Sequence, residues 1–552
     1  MRPHVLFILL LILPIVSAAE TFDPRGTSYL EANYSIQGTI TVNPTSDTVS
    51  YVSAKLYAYP KETEALHISE IKTSPQATFS GDGEQASYVF EWRNLEAGNY
   101  YYDLSANIKN SNYLPKVYKK IKFPFEVPSD LKKYTIPTEK TESGDAEIKA
   151  TANELAAGED DAYRIMFKIA GWVHSNVDYD ESAWQGVASA KDVLRTKRGV
   201  CDEYTNLYMA LMRSIGFPAR YKVGSVYTNI PSVNDFQYHA WAEVWLPDAG
   251  WVPVDTTFAE YGWLDPTHIE VMDSQIVEPA SLSYKWRNGD VTTSTIKSNV
   301  KIIEKKDRLP NIVKTEAWLQ EAYARQGSYN IFWLELKNNA DFYIHTSATL
   351  TKGLPIWPVD KNQKDVLLAP HSSETVGWLF KAPPDSDARY IYLYGFEAET
   401  LFSGEPANST LQISEDGKYL SRAEAESLLN SSENARSETH GKPIISFEEK
   451  IPKIIYTGNA YQFGITVKNS GNAPAEHVVV CVDGQCDAKY VGINEETLFN
   501  FTVIAVQGKN INRIGIISND YSSAKDIITY ASEKTIFIKI KEFFTQLLSL
   551  FH

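Results

Sequence analysis

Short apolar–polar alternations separated by turn residues fill residues 20 to 127, as in Ser50-Tyr51-Val52-Ser53-Ala54-Lys55-Leu56-Tyr57 and Ala86-Ser87-Tyr88-Val89-Phe90-Glu91-Trp92. Period-two patterning with frequent turns predicts an all-β unit, an immunoglobulin-like sandwich. A Pro-containing connector follows at Val127-Pro128-Ser129. From about 140 the period lengthens. Ala146 to Ile169 reads as one helix and Ala188 to Thr196 as another, with strand-like runs after 218. Residues 128–280 are therefore expected to form an α+β domain. Strand patterning returns over 281–410, as in Asn330-Ile331-Phe332-Trp333-Leu334-Glu335-Leu336, and predicts a second sandwich. The stretch 411–444 is rich in Ser, Glu, Asn and Ala and reads as a linker. A last β-sandwich is expected over 445–530, where Thr466 to Asn472 and His477 to Cys481 resemble adhesion-type β modules of exported proteins.

The two ends have their own patterns. Arg2 precedes an apolar run from Val5 to Val16 broken by Pro14, and Ser17-Ala18-Ala19 offers small residues for cleavage. Residues 1–19 thus read as a signal peptide, with a retained anchor as the other possibility. The run is shorter than the roughly 20 apolar residues of a membrane-spanning helix. At the other end, Ile536, Ile540, Phe543, Phe544, Leu547, Leu548 and Phe551 fall on one helical face within 531–552. Such an amphipathic helix either lies on a membrane surface as a peripheral contact or docks on the neighbouring domain.

Composition narrows the function classes. The 552 residues include 53 Lys+Arg and 69 Asp+Glu, a net charge of −16, which argues against nucleic acid as the partner. Aromatics reach 12%, which suits β-sheet cores. The sequence lacks HExxH, P-loop and dinucleotide fingerprints. Neither a metal nor a cofactor is expected. Export agrees with sequons at Asn33, Asn408, Asn430 and Asn500, so a secreted or cell-surface glycoprotein is the expectation.

The three cysteines divide two and one. Cys481 and Cys486 flank Val482-Asp483-Gly484-Gln485, and Asp-Gly is a strong two-residue hairpin signal. The hairpin would set the two cysteines opposite each other, with Cα atoms about 4.5 Å apart and within disulfide range. Cys201 is then the odd thiol. Tyr204, Leu207, Tyr208, Leu211, Met212 and Ile215 follow it at helical spacing, and Gly216 and Pro218 end the pattern. Cys201 therefore falls at a helix N-terminus, where the dipole and free N–H groups favour a thiolate and could receive an oxyanion. Asp202 and Glu203 oppose thiolate formation, so a cationic partner is required. His239 lies in an alternating run from Tyr238 to Trp245. After the turn Pro247-Asp248-Ala249-Gly250, the run from Trp251 to Asp255 returns, bringing Asp255 near His239. A carboxylate there would hold the imidazole's tautomer, and an imidazolium would support the thiolate.

Three segments carry a resemblance: Arg198-Gly199-Val200-Cys201, His239-Ala240-Trp241-Ala242-Glu243-Val244 and Gly250-Trp251-Val252-Pro253-Val254-Asp255-Thr256-Thr257. In this order they resemble the motifs of the transglutaminase-like superfamily, and Val187 to Thr196 is similar to that family's pre-nucleophile helix. The resemblance covers about 140–275, a quarter of the chain. It implies a papain-like α+β core flanked by β-sandwiches. It also implies Cys201 as nucleophile, His239 as general base and acid, and Asp255 as orienter. Thr256 fits the Pro or Thr usual after the Asp. The side chain that usually completes the oxyanion site is not located; Trp184 and Gln185 are the candidates, and Trp241 packs the core or walls the cleft. The implied chemistry is attack on an amide through a thioester, with a polypeptide as substrate. Hydrolysis, Gln-to-Lys crosslinking, and an inactive envelope scaffold remain the three functional expectations.

Overall fold

The computed structural model describes residues 22–534 apart from 44–48, 184–185, 230–232, 278–280, 353–355, 357, 360, 385–391, 414, 416, 435–442, 453–454, 472–473 and 519–520. The leader read in 1–19, the side chains of Trp184 and Gln185, and nearly all of the helix read in 531–552 lie outside the described residues.

The first β unit is built on the long strand Thr27–Val42, whose buried positions alternate with partly exposed ones. It pairs with Gly98–Ser111 along its full length. Its other edge is covered by Val291–Thr293 and Lys297–Asp307. In the facing sheet, Leu282–Arg287 pairs with Val49–Leu56. Residues 282–307 thus return to complete the first sandwich, and the α+β core is inserted between its strands. The boundary expected at 281 is wrong for this reason. Alternation says that a segment is a strand, whereas its sheet is chosen by long-range pairing that no local pattern encodes.

The core packs helices Ala146–Ala156, Ala162–Asn176, Ala190–Thr196 and Cys201–Ser214 on one antiparallel sheet. Its strand order is Glu260–Tyr261, Gly250–Asp255, Asp235–Leu246, Ala219–Thr228, Ile269–Ser274. The single helix expected from Ala146 to Ile169 is two. Gly158 turns the chain at φ +79°, and Asp161 caps the second helix by accepting from the Tyr163 N–H. The first sandwich and the helical core share one continuous apolar interior.

A second sandwich spans Val313–Leu319 to Ala407–Ile413. The expected linker contains the helix Arg422–Asn434, whose Ala425 and Leu429 pack on Ile331, Trp333 and Leu379 of that sandwich. Its few apolar residues sit at helical spacing, enough to dock a helix otherwise polar. The last module runs from Ile445–Lys450 to Tyr521–Ser532 and rests on the core: Lys149 Nζ is 2.8 Å from Glu495 Oε1, and Asn153 Oδ1 accepts from the Ile493 N–H at 2.6 Å. Within it Asp483 and Gly484 both have positive φ, the type I′ geometry that suits a right-twisted hairpin. Cys481 faces Cys486 in the register, with Cα atoms 4.0 Å apart and the sulfurs at bonding distance. Among the described residues no helix is long and apolar enough to cross a membrane.

Candidate active site

Cys201 is the first residue of its helix, preceded by an extended Val200. Glu203 reaches back from the first turn: its Oε2 accepts from the Val200 N–H and its Oε1 from the Ala188 N–H, both at 2.9 Å. Gly199 permits this approach, because a Cβ there would lie 2.3 Å from Glu203 Cβ. Glu203, which the sequence set against the thiolate, is thus spent on bracing the helix start. Thr205 ties the helix to the next element, donating from Oγ1 to the Ala240 carbonyl at 3.1 Å. The Ala240 N–H in turn points at the Cys201 sulfur. That contact places the thiol beside the residue next to His239.

His239 lies on the strand Asp235–Leu246 and is 5% exposed. Its Nε2 is 2.6 Å from Asp255 Oδ2. Phe258 stacks on the imidazole with ring centres 4.6 Å apart, fixing its plane. Asp255 ends the returning strand and is wholly buried. Its Oδ1 accepts from the Thr257 N–H at 2.7 Å and the Phe258 N–H at 3.1 Å. With Nε2 engaged on the carboxylate, Nδ1 is the ring nitrogen left for the cleft.

The electrostatics follow from burial. Burial pushes the Cys201 thiol well above its ordinary range, Asp202 adds to this, and the Ala240 N–H opposes it. The helix start alone therefore does not favour a thiolate, in line with the expected need for a cationic partner. Burial would raise Asp255 too, but the His239 and His268 rings outweigh it and hold the carboxyl far below its usual range.

Cys201 and His239 line one cleft of about 1320 Å³. Tyr179, Tyr204, Tyr238 and Phe258 give it aromatic walls. Ser281 and Thr295 close one side, and both belong to the stretch that returns to the first sandwich. Trp241 is not among the lining residues. It is buried behind His239 and meets His268 edge-on at 5.2 Å, bordering a separate cavity of about 680 Å³. Of the places expected for Trp241, the structure gives the core and not the cleft or oxyanion site. Position 241 shares a face with 239 along the strand, yet the bulky indole fills the core beneath the imidazole.

The sequence reading missed His268. Its Nε2 lies 3.1 Å from Asp255 Oδ2, the same oxygen that His239 engages. Asp265 and Glu260 approach its other nitrogen. The only local signal was a run of polar residues, Asp265-Pro266-Thr267-His268, following the third motif. Two groups among the described residues could bring metal-ligating atoms together: His239, Asp255 and His268, and Glu260, Asp265 and His268. In the first group the ring nitrogens point into a carboxylate as hydrogen-bond donors, which is a proton-bearing arrangement and not a ligand cage.

Residues 149–256 match the model of the transglutaminase-like superfamily. An uncharacterized protein of Mycobacterium leprae is 30% identical over 98 residues, 17% of this chain and 34% of the relative. A protein-glutamine gamma-glutamyltransferase of Pseudomonas aeruginosa is 36% identical over 69 residues, 11% of this chain and 10% of the relative. This chain covers about a third of the length of the curated relatives it first matches. Among solved structures, a candidate cysteine protease of Cytophaga hutchinsonii aligns with 51% of this chain and 95% of its own at 18% identity and a TM-score of 0.39. The α+β unit that carries Cys201, His239 and Asp255 is a transglutaminase-like core, held within a chain of β-sandwich modules.

Proposed function

We propose that the chain is a cysteine enzyme that cleaves amide bonds of polypeptides through Cys201, His239 and Asp255. The observation that carries this reading is the 2.6 Å contact between His239 and a fully buried Asp255, beside a thiol that lines the same cleft. The Cys201 sulfur attacks the amide carbonyl while His239 takes the thiol proton. The carbonyl oxygen gains negative charge next to the N–H groups of the first helical turn, which have no intrahelical acceptor. As the C–N bond breaks, His239 returns the proton to the leaving amine, and a thioester remains. Water, deprotonated by the same imidazole, attacks the thioester and releases a carboxylic acid and the free thiol. Asp255 keeps the imidazole in the tautomer that presents Nδ1 and stabilises its charged form.

Hydrolysis is favoured over crosslinking because the cleft, at about 1320 Å³, leaves room for water beside a bound chain. The N-terminal apolar run and the hairpin cysteines at disulfide distance favour action outside the cytoplasm, on envelope or extracellular proteins. A peptide library incubated with and without a labelled primary amine tests the reading. Cleaved peptides without incorporated amine are expected, with no turnover by Cys201→Ala. Amine incorporation in place of cleavage would select crosslinking. An active Cys201→Ala would reject the cysteine mechanism.

A further inference from the structure

Asp255 carries two imidazoles. His239 and His268 both approach its Oδ2, at 2.6 and 3.1 Å, while Oδ1 takes the N–H groups of Thr257 and Phe258. Four donors fill the lone-pair sites of one carboxylate. His268 is itself enclosed by acids. Its Nε2 faces Asp255, and its Nδ1 lies 3.5 Å from Asp265 Oδ2 and 3.9 Å from Glu260 Oε2. Ionised carboxylates only accept hydrogen bonds. A neutral imidazole that donated to Asp255 would turn its Nδ1 lone pair toward the Asp265 carboxylate, 3.5 Å away.

We propose that His268 is a standing imidazolium and a positioning residue for the reaction inferred above: it pins the Asp255 carboxylate and shares its charge with His239. The proposal rests on the cysteine-enzyme reading for its purpose, while the placing of His268 between Asp255 and Asp265 stands on geometry alone. A carboxylate with one imidazole partner stabilises that partner's charged form with its full field. With His268 on the same oxygen, the field felt by His239 is partly neutralised. His239 is held in orientation and remains ready to give up its proton to a leaving amine.

The neighbours of His268 are consistent with this state. Asp255, Glu260 and Asp265 face it, the His239 ring is 5.9 Å away, and Trp241 presents its ring edge-on. Arg25 stands behind Glu260, its Nε 3.8 Å from Oε1. Burial would push His268 down, but Asp265, Asp255 and Glu260 together hold it well above the ordinary imidazole range. Burial and Asp265 push Glu260 up in turn. The loop that carries His268 is fixed from the first sandwich: Asn110 Nδ2 donates to the Pro266 and His268 carbonyls at 2.9 and 3.0 Å.

The test follows the rate of Cys201 alkylation by iodoacetamide against pH in His268→Gln and in His268→Gln/Asp265→Asn. Gln keeps a donor for Asp255 without the charge, and the double variant leaves the net charge around Asp255 unchanged. In both, the pH at which alkylation rises should move up by about half to one unit. Profiles that superimpose on the unsubstituted protein would overturn charge sharing. Nitrogen-15 spectra of the unsubstituted protein give an independent reading, with His268 assigned by the signal lost in His268→Gln or His268→Asn. Both ring nitrogens should remain protonated at about pH 8, beyond the ordinary imidazole range near 6.5. A neutral ring there would sink the proposal. If His239→Ala fails to slow alkylation of the unsubstituted thiol, the cysteine-enzyme reading fails, while the spectra still decide the state of His268.

Discussion

Two buried charge clusters share one sheet, and they are built on opposite principles. In the cluster around Asp255, two imidazoles converge on a single carboxylate oxygen at the edge of the cleft. A second cluster lies further along the same strands. There Arg220 is 2.6 Å from Glu243, Lys222 is 2.6 Å from Glu270, and Arg220 is also 3.3 Å from Asp273. Two cations there face three carboxylates, with Glu243 shared between Arg220 and Lys222, and none of the five lines the cleft that holds Cys201. Burial would raise Glu243, but Lys222 and Arg220 outweigh it and hold it ionised. Around Asp255 the partners are titratable rings, one of them facing a cleft that also holds a thiol. On the proposed reading, the contrast lies in titratable rings on a shared carboxylate and a thiol in the same cleft.

The largest expected effect breaks the first cluster. Asp255→Asn removes the anion that sets the His239 tautomer and should slow Cys201-dependent cleavage on the order of 10⁴-fold, measured as kcat on the peptide found in the library screen. A variant within tenfold of the parent would show that Asp255 is only structural.

Glu243→Gln probes the other cluster. It removes the carboxylate that Lys222 and Arg220 share, while Glu270 and Asp273 stay beside them, and should cost about 1.5–3 kcal/mol in urea unfolding. Alkylation of Cys201 in the folded protein should be unchanged. Because Glu243 is held below its ordinary range, its contribution is present above that range and lost as pH falls through the lowered folded value. The gap between variant and parent should therefore narrow below about pH 4. A slowed alkylation would mean that the two clusters are coupled and the comparison fails.

The smallest effect lies far from both. Reducing Cys481–Cys486 opens a loop with a sequence separation of 5. The last module should lose roughly 2 kcal/mol, read as a lower midpoint for its own unfolding transition. Cleavage should continue at its former rate. A parallel loss of activity would tie the last module to the cleft through its contacts with Lys149 and Asn153.

Much of this protein was legible locally. The period change near 140 marks the α+β core, and Gly216 and Pro218 mark the helix end, because helix and strand repeat their side chains at different intervals. The hairpin cysteines could be paired because Asp-Gly dictates the turn and a two-residue turn dictates the register. The break at Gly158 was hidden, since helical spacing continues on both sides of it. The helix Arg422–Asn434 was hidden by its polar composition; only the packing of Ala425 and Leu429 reveals its purpose.

By itself the sequence determined the α+β core, the helix that begins at Cys201, and the strand positions of His239 and Asp255. These are short-range matters of periodicity, capping and turn chemistry. Only the tertiary structure decided that residues 282–307 close the first sandwich and help wall the cleft, that Trp241 lies behind the imidazole, and that His268 completes the environment of Asp255. Those outcomes depend on which distant surfaces exclude water together and which buried charges then find partners, and neither leaves a periodic trace along the chain.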